Sequence, residues 1–576
     1  MAMNFVFNRR TLLTGTAALG GMGLLAACGG GNGGGGGGAS NAESASALGV
    51  GEDIAKLISV NPKERSELKQ GGELRLPSVE IGPNFNNSSN AGNSSYNSSI
   101  IAACSPISVT GLWTSDFEGN WTVNKDFCES FEETKEGDKQ AFKIKLNPKA
   151  KFNDGTPIDV EALKATVEIF RDGGEKGFDL VDPGALKYVE SVEADGDNST
   201  AKVIMSRPYY PIADIFGSGV LHPAVNDKQT FNDGFTDKFH SEWQAGPFKL
   251  EKWNSAEKVL TVVPNEKWWG EKPLLDRITF RQMESSAARA AFKNGEIDAI
   301  GASTLTAYKD VENTEGTEVR RGQRLFSGGL NMSSFRLPVE MRRAIFAATD
   351  RKALADIRFN GLNWTEDVPG SMMLMPFDSD YQDNFTKATE GWEAGKILEE
   401  AGYKKDGDFY KKDGKNASFQ ITTFGDDPVS AAMAQTLVQQ MKSAGIDAKI
   451  DNQPDANFGT VVGNKEFDLT FSGYTVGSDA TVAAQQYYLA ENNDGTGSPK
   501  IDKMIEEMGQ IKDDKERNKK ANEIEVAHMK EFASMGTVFN GPDIFVVKKE
   551  LANYGAALFG DKRSNAEGWI NVGWIK

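Results

Sequence analysis

Residues 28–38 read CGGGNGGGGGG, and that stretch decides where a folded body can begin. Glycine has no side chain to bury and loses the most backbone freedom on ordering, so such a run cannot join a packed core. It isolates what precedes it. Residues 1–27 contain no acid; Arg9 and Arg10 give a short positive start, and TLLTGTAALGGMGLLAA then runs uncharged for 17 residues. A charged start, an apolar middle and small residues at the end describe an export signal, and the stretch is too short and glycine-broken for a membrane span. Gly, Ser, Ala and Asn dominate from Gly29 to about Gly71, which predicts a flexible tether over 28–70, with a short helix expected within 51–59. A free chain of roughly 40 residues has an end-to-end span on the order of 35 Å.

Leu25-Ala26-Ala27-Cys28 resembles the lipobox of bacterial lipoproteins. That resemblance implies that the Cys28 thiol is lipidated and becomes the new N-terminus. Two acyl chains suit the role, because one chain alone holds a membrane only marginally. Asn8-Arg9-Arg10-Thr11-Leu12-Leu13 also looks like a twin-arginine export motif, so two export routes stay open. The expected location is the outer face of the cytoplasmic membrane, periplasmic or cell-surface side.

Charge narrows the partners. Loss of residues 1–27 removes Arg9 and Arg10 and no acid, taking the net charge from −18 to −20. A body that acidic argues against nucleic acid or anionic lipid as its main partner. Roughly 500 structured residues exceed what one core supports and predict two or more domains. Past Cys28 only Cys104 and Cys128 remain, and an exported chain could join them in one disulfide.

The texture is mixed α and β. Ala141–Leu146 alternates with period two and reads as a half-buried strand. Asp154-Gly155 and Pro157 mark a turn, after which Asp159 caps a helix whose face is Ala162, Leu163, Thr166, Val167 and Phe170. Residues 248–253, 258–263 and 275–280 read as strands. A helix over 285–292 closes at Asn294-Gly295, and 298–300 is a short buried strand. Helices follow at 338–351, 395–403 and 431–445, with strands at 419–423, 448–450 and 467–474. Residues 501–529 read as one long helix laced with i,i+4 charge pairs.

The blocks FKIKLNPKAKFNDGTPIDVEALKATV, AGPFKLEKW, NEKWWGEKPLLDRITF, FKNGEIDAI, VEMRRAIFAATDRKAL and EAGKILEEAGY occur in that order. Together they resemble the solute-binding proteins of bacterial ABC importers, family 5, the oligopeptide/dipeptide-binding type, over residues 71 to 576. The resemblance implies an α/β, two-lobed periplasmic-binding-protein-like fold with an extra small domain. Lobe I is expected from 71–90, 209–320 and 536–576, the insert from 91–208, and lobe II from 321–535. It implies a monomer that captures a solute or peptide by hinge closure and delivers it to the permease subunits. Members of the family also handle opines, nickel chelates, haem and sugars. A surface receptor or adhesin on the same fold, or a binder of a non-peptide ligand such as an opine, haem or sugar, is the alternative.

Candidate ligand-binding residues follow from the resemblance. The family often shows Gly-Trp-x-x-Asp-Tyr-Pro-Asp-Pro at the cleft. Here, after Ser472, the stretch is Gly473-Tyr474-Thr475-Val476-Gly477-Ser478-Asp479-Ala480, with Gly477 at the first acid's place, no Pro, and Asp479 as the nearby carboxylate. Either Asp479 takes over an ammonium contact, or the ligand is not a free peptide, or Asp479 is an ordinary loop acid. Pro83-Asn84-Phe85-Asn86 matches the ligand-facing loop, and Trp113 and Trp364 are either cleft aromatics or core. His222, His240 and His528 are the only histidines, and no His-Glu-x-x-His, Cys-x-x-Cys, P-loop or nucleophile elbow occurs. The expectation is no metal, no cofactor and no enzyme.

Overall fold

The computed structural model describes residues 45–49, 52–116, 119–454, 457, 461–462, 464–476, 479–490, 496–558 and 566–576. Cys28 and the expected export signal lie outside them. The alternating stretch becomes the strand Lys139–Leu146, with Phe142, Ile144 and Leu146 buried. It sits inside a four-stranded antiparallel sheet, ordered Cys128–Glu136, Lys139–Leu146, Asp197–Met205, Val189–Asp195. The helix Val160–Lys176 covers that sheet. Asp159 caps it by accepting from the Glu161 amide at 3.0 Å, and Gly177, at φ 83°, ends it in the left-handed conformation that glycine tolerates best.

This antiparallel unit packs on a first body. There Glu73–Ser78 runs parallel to Arg277–Gln282, and the sheet continues antiparallel through Val259–Pro264 to Phe248–Asn254. A second sheet places Asp543–Lys548 between Ala299–Gly301 and Thr317–Gly322. Asp298 ties the two sheets together. Only 1% of its side chain is exposed, and it accepts from Arg75 Nη2 at 2.7 Å and Lys548 Nζ at 2.6 Å. A carboxylate that deep is tolerable only with such partners.

The second body holds a five-stranded sheet ordered Asp447–Gln453, Ser418–Phe424, Leu469–Thr475, Phe326–Met332, Met535–Phe539. Two backbone crossings link it to the first body. Thr317–Gly322 belongs to the three-stranded sheet, and after three intervening residues Phe326 opens a strand of the five-stranded one. Met535–Phe539 returns through Asn540-Gly541-Pro542 to Asp543–Lys548. Half-buried Glu366 holds the second crossing. Its carboxylate accepts from the Asn540 amide at 2.5 Å, the Gly541 amide at 3.0 Å and Trp364 Nε1 at 3.1 Å. Asn540 Nδ2 donates to Phe326 O at 2.8 Å, joining the two crossings.

Three expectations change. The tether ends before residue 70: Leu57, Val60 and Leu68 are buried, the Gln323 amide donates to Leu57 O, and Ala45–Ser46 pairs with Trp364–Thr365. Those apolar side chains, spaced among polar neighbours, give this stretch something to bury that the glycine run lacks. Cys104 and Cys128 are free, each buried in a separate apolar cluster, and burial pushes both thiols up. The helix expected over 501–529 is two helices, Pro499–Gly509 and Asp514–Phe532, because Asp513 accepts from the Glu516 amide and starts a new one.

Burial pushes the Glu366 carboxyl from 4.5 up to about 7, against the opposing pull of the Asn540 and Gly541 amides. A folded-state value above the unfolded one means that folding favours the proton. The stabilisation it carries is complete below about 4.5 and is lost as pH rises through about 7. Glu366→Gln therefore flattens the stability-versus-pH curve over that window. It also costs about 1–3 kcal/mol at neutral pH, because an amide NH₂ faces a backbone N–H. Urea melts at a series of pH values measure both effects.

Candidate functional site

Strand direction places the site. In the five-stranded sheet, Asp447–Gln453, Ser418–Phe424 and Leu469–Thr475 run parallel, and Met535–Phe539 runs the same way, antiparallel to Phe326–Met332 between them. Gln453, Phe424, Thr475 and Phe539 thus end at one edge, where Phe326 begins. Both crossings leave from that edge, so it faces the first body. In open α/β sheets ligands gather outside the carboxyl ends of the strands.

Aromatic rings and arginines stand there. Phe326 and Phe539 lie 6.2 Å apart, with the Arg324 guanidinium 4.2 Å over Phe326 and the Arg358 guanidinium 5.2 Å over Phe539. Arg358 Nη2 reaches Ser303 O of the first body at 3.1 Å. Burial, reinforced by the like charge of Arg324, brings Arg358 down to about 10, while Asp427 and Glu366 pull the other way. Asp427 caps the helix Pro428–Ser443, its Oδ2 accepting from the Ser430 amide at 2.9 Å. The Asp427-Pro428 cap was readable in the sequence. The meeting of Arg324, Arg358 and Phe539 was not, because their neighbours are remote along the chain.

The residues singled out from the sequence divide into several places. Ser472, Gly473 and Tyr474 share one strand of this sheet. Gly473 is required by packing, since a Cβ there would lie 2.4 Å from Phe326 Cζ. Tyr474 is buried, its hydroxyl accepting from Asn331 Nδ2 at 3.1 Å and its ring 5.3 Å from Tyr487; burial pushes its phenol up to about 12. The buried hydroxyls of Ser472 and Ser327 have no partner among the described residues and line a cavity of about 10 Å³ with Met372 and Met535, near the size of a single water. Gly477 and Ser478 lie outside the described residues.

Asn84, Phe85 and Trp113 make their contacts elsewhere, while Trp364 packs into the second crossing. Asn84 Nδ2 donates to Asn232 O and its Oδ1 accepts from the Asn86 amide, while Phe85 packs edge-on against Phe239 and Trp253. Trp113 Nε1 donates to Ile215 O at 2.8 Å within the antiparallel unit. Trp364 is buried at the second crossing beside Gly541. All three histidines are buried and bonded: His222 to Asp154, His240 to Glu242 and Gly234, and His528 to Thr496 O. Among the described residues no group of three or more His, Cys, Asp or Glu could hold a metal ion, and no helix is long and apolar enough to cross a membrane.

Asp479 has structural duties. Its Oδ1 accepts from the Thr481 amide at 2.7 Å, capping Ala480–Tyr488, and its Oδ2 accepts from Arg517 Nη2 at 3.0 Å. Removing it takes away a helix cap and half of a largely buried ion pair. Asp479→Ala is expected to cost about 2 kcal/mol in a denaturant melt. A melt identical to that of the unsubstituted chain would return Asp479 to the ligand.

Comparison with known proteins agrees with this architecture. The family model described as bacterial extracellular solute-binding proteins, family 5 middle, matches residues 122–496. The oligopeptide-binding protein OppA of Mycobacterium tuberculosis is 27% identical over 542 residues, covering 92% of this chain and 89% of its own. Among solved structures, the periplasmic EDTA-binding protein EppA superposes with a TM-score of 0.78 at 22% identity, covering 92% of this chain and all of its own. The oligopeptide-binding protein AppA from Bacillus subtilis, in complex with a nonapeptide, gives 0.68 at 19% identity over 88% of this chain. With a model match across well over half its length, the chain belongs to the family 5 bacterial extracellular solute-binding proteins, the substrate-binding components of ABC importers.

Proposed function

We propose that this protein captures oligopeptides outside the cytoplasmic membrane and hands them to an ABC permease. The observation that carries the reading is the near end-to-end match to OppA, 27% identical over 92% of the chain. Other members grip different solutes, as the EDTA-binding protein and the nickel–histidine complex of Campylobacter jejuni NikZ illustrate by their names. The three histidines here are buried and engaged, which favours peptide over a bare metal ion. Capture follows from the two crossings. A ligand that touches both bodies only when they approach shifts the population by its differential affinity. At a strand end the backbone of an extended peptide can pair with exposed amides and carbonyls, while its side chains occupy wetter space and are selected loosely.

The engagement of Asp479 with Arg517 bears on how a peptide is held. An ammonium competing for that carboxylate would have to displace a guanidinium, so end recognition by Asp479 is disfavoured and backbone pairing carries more of the grip. Lipidation at Cys28 completes the proposal, with the protein acting as a monomer.

Native mass spectrometry of protein purified without denaturant tests the ligand class. A spread of peptide adduct masses, lost on unfolding and restored by a mixed-peptide digest, is the expected result. One discrete non-peptide mass that the digest does not displace would overturn it.

A further inference from the structure

The helices Pro499–Gly509 and Asp514–Phe532 pack with Tyr474 and Met535 of the second body, and away from the crossings they meet the antiparallel unit that packs on the first. The turn that splits the expected 501–529 helix, Gly509 to Asp513, lies against the antiparallel unit. Lys512 Nζ donates to Glu133 Oε2 at 2.6 Å. The Tyr210 amide donates to Gly509 O at 2.9 Å, and Arg207 Nη1 stands 3.5 Å from Glu506 Oε2. Tyr209 Cε2 would be 3.3 Å from a Cβ on Gly509, so the glycine lets the two backbones approach.

Both sides are braced from within. On the antiparallel unit, Gln140 bonds Tyr209 twice, amide to Oε1 at 2.7 Å and carbonyl to Nε2 at 3.1 Å, and also reaches Glu133 Oε1 at 3.2 Å. Arg207 is stacked 3.8 Å over Tyr188. On the second body, Arg517 donates to Ile511 O at 3.1 Å and holds Asp479 and Asp514 with its other nitrogen. The role of Asp479 is thereby joined to this turn. The Lys512 contact holds the Glu133 carboxyl below its usual range.

We propose that the Gly509–Asp513 turn and the Arg207–Tyr210 segment with Glu133 form a clasp that holds the two bodies closed. It rests on the two-body binding reading and adds to it a contact outside the ligand's own. Because each partner is braced within its own body, the clasp parts as a unit when the bodies swing about the crossings. The ion pairs are largely exposed and modest, and the backbone bond is open to water once parted, so the clasp biases closure without locking it.

Nitroxides at Asp138→Cys and Lys515→Cys, both exposed, in the full chain carrying Cys28→Ser, report the separation by pulsed electron resonance without any ligand; Cys104 and Cys128 are buried. Lys512→Glu and Glu133→Lys should each cut the short-distance population by about fivefold, and the double reversal should restore it. Gly509→Leu, a wedge against Tyr209, should abolish that population with the melting transition retained. A short-distance population unmoved by the reversals and by the wedge would overturn the clasp, as would a double reversal that fails to restore it. Native mass spectra of the same variants still show ligand if only the clasp is wrong, and show none if the binding reading itself fails.

Discussion

Two strands of backbone, at Gln323–Leu325 and Asn540–Pro542, join everything that grips to everything that supports. Each body has its own sheets and covering elements, and among the described residues these crossings alone carry the chain directly between the three-stranded and five-stranded sheets. Glu366 gathers three N–H donors at the second crossing, and Asn540 ties it to the start of Phe326–Met332. A flexible pair of strands would let the bodies wander. The carboxylate fixes the local path of the second crossing, and under the proposed closure these two crossings are where the bodies would turn. The strand directions follow from the same crossings, since both emerge at the carboxyl edge and so turn that edge toward the first body.

Local signals in the sequence carried far. Asp159 before an apolar face, Asn294-Gly295 after one and the alternation in Ala141–Leu146 each correspond to the element observed, because caps and periodicity act over a few residues. The ordered blocks that resemble family 5 pointed to the fold that the family model and the solved structures support. What stayed hidden depends on distance along the chain. Trp113 and Trp364 have the composition of cleft aromatics, but Ile215 and Glu366 claim their indole N–H groups. Asp479 reads as a free loop acid until Arg517, far along the chain, is beside it. The break at Gly509–Asp513 was legible as Gly followed by an Asp cap, but the dense i,i+4 charge pairing suggested one continuous helix.

That break now has a purpose. A continuous helix would present side chains all round, whereas the turn exposes the Gly509 carbonyl and projects Lys512 toward Glu133. In the proposed scheme, ligand, hinge and clasp act on one equilibrium: the crossings set the path, the clasp favours its closed end, and the ligand supplies the remaining bias. A ligand held mainly through its backbone, with modest help from surface ion pairs, suits capture followed by release to a permease better than an irreversible grip.

Closure on a solute can be followed by small-angle scattering on the full chain, first stripped of bound ligand and then given a mixed-peptide digest. The radius of gyration is expected to fall when peptide binds. Bound peptide, verified by native mass on the same sample, with an unchanged scattering curve would contradict a hinged pair of bodies that closes on its solute.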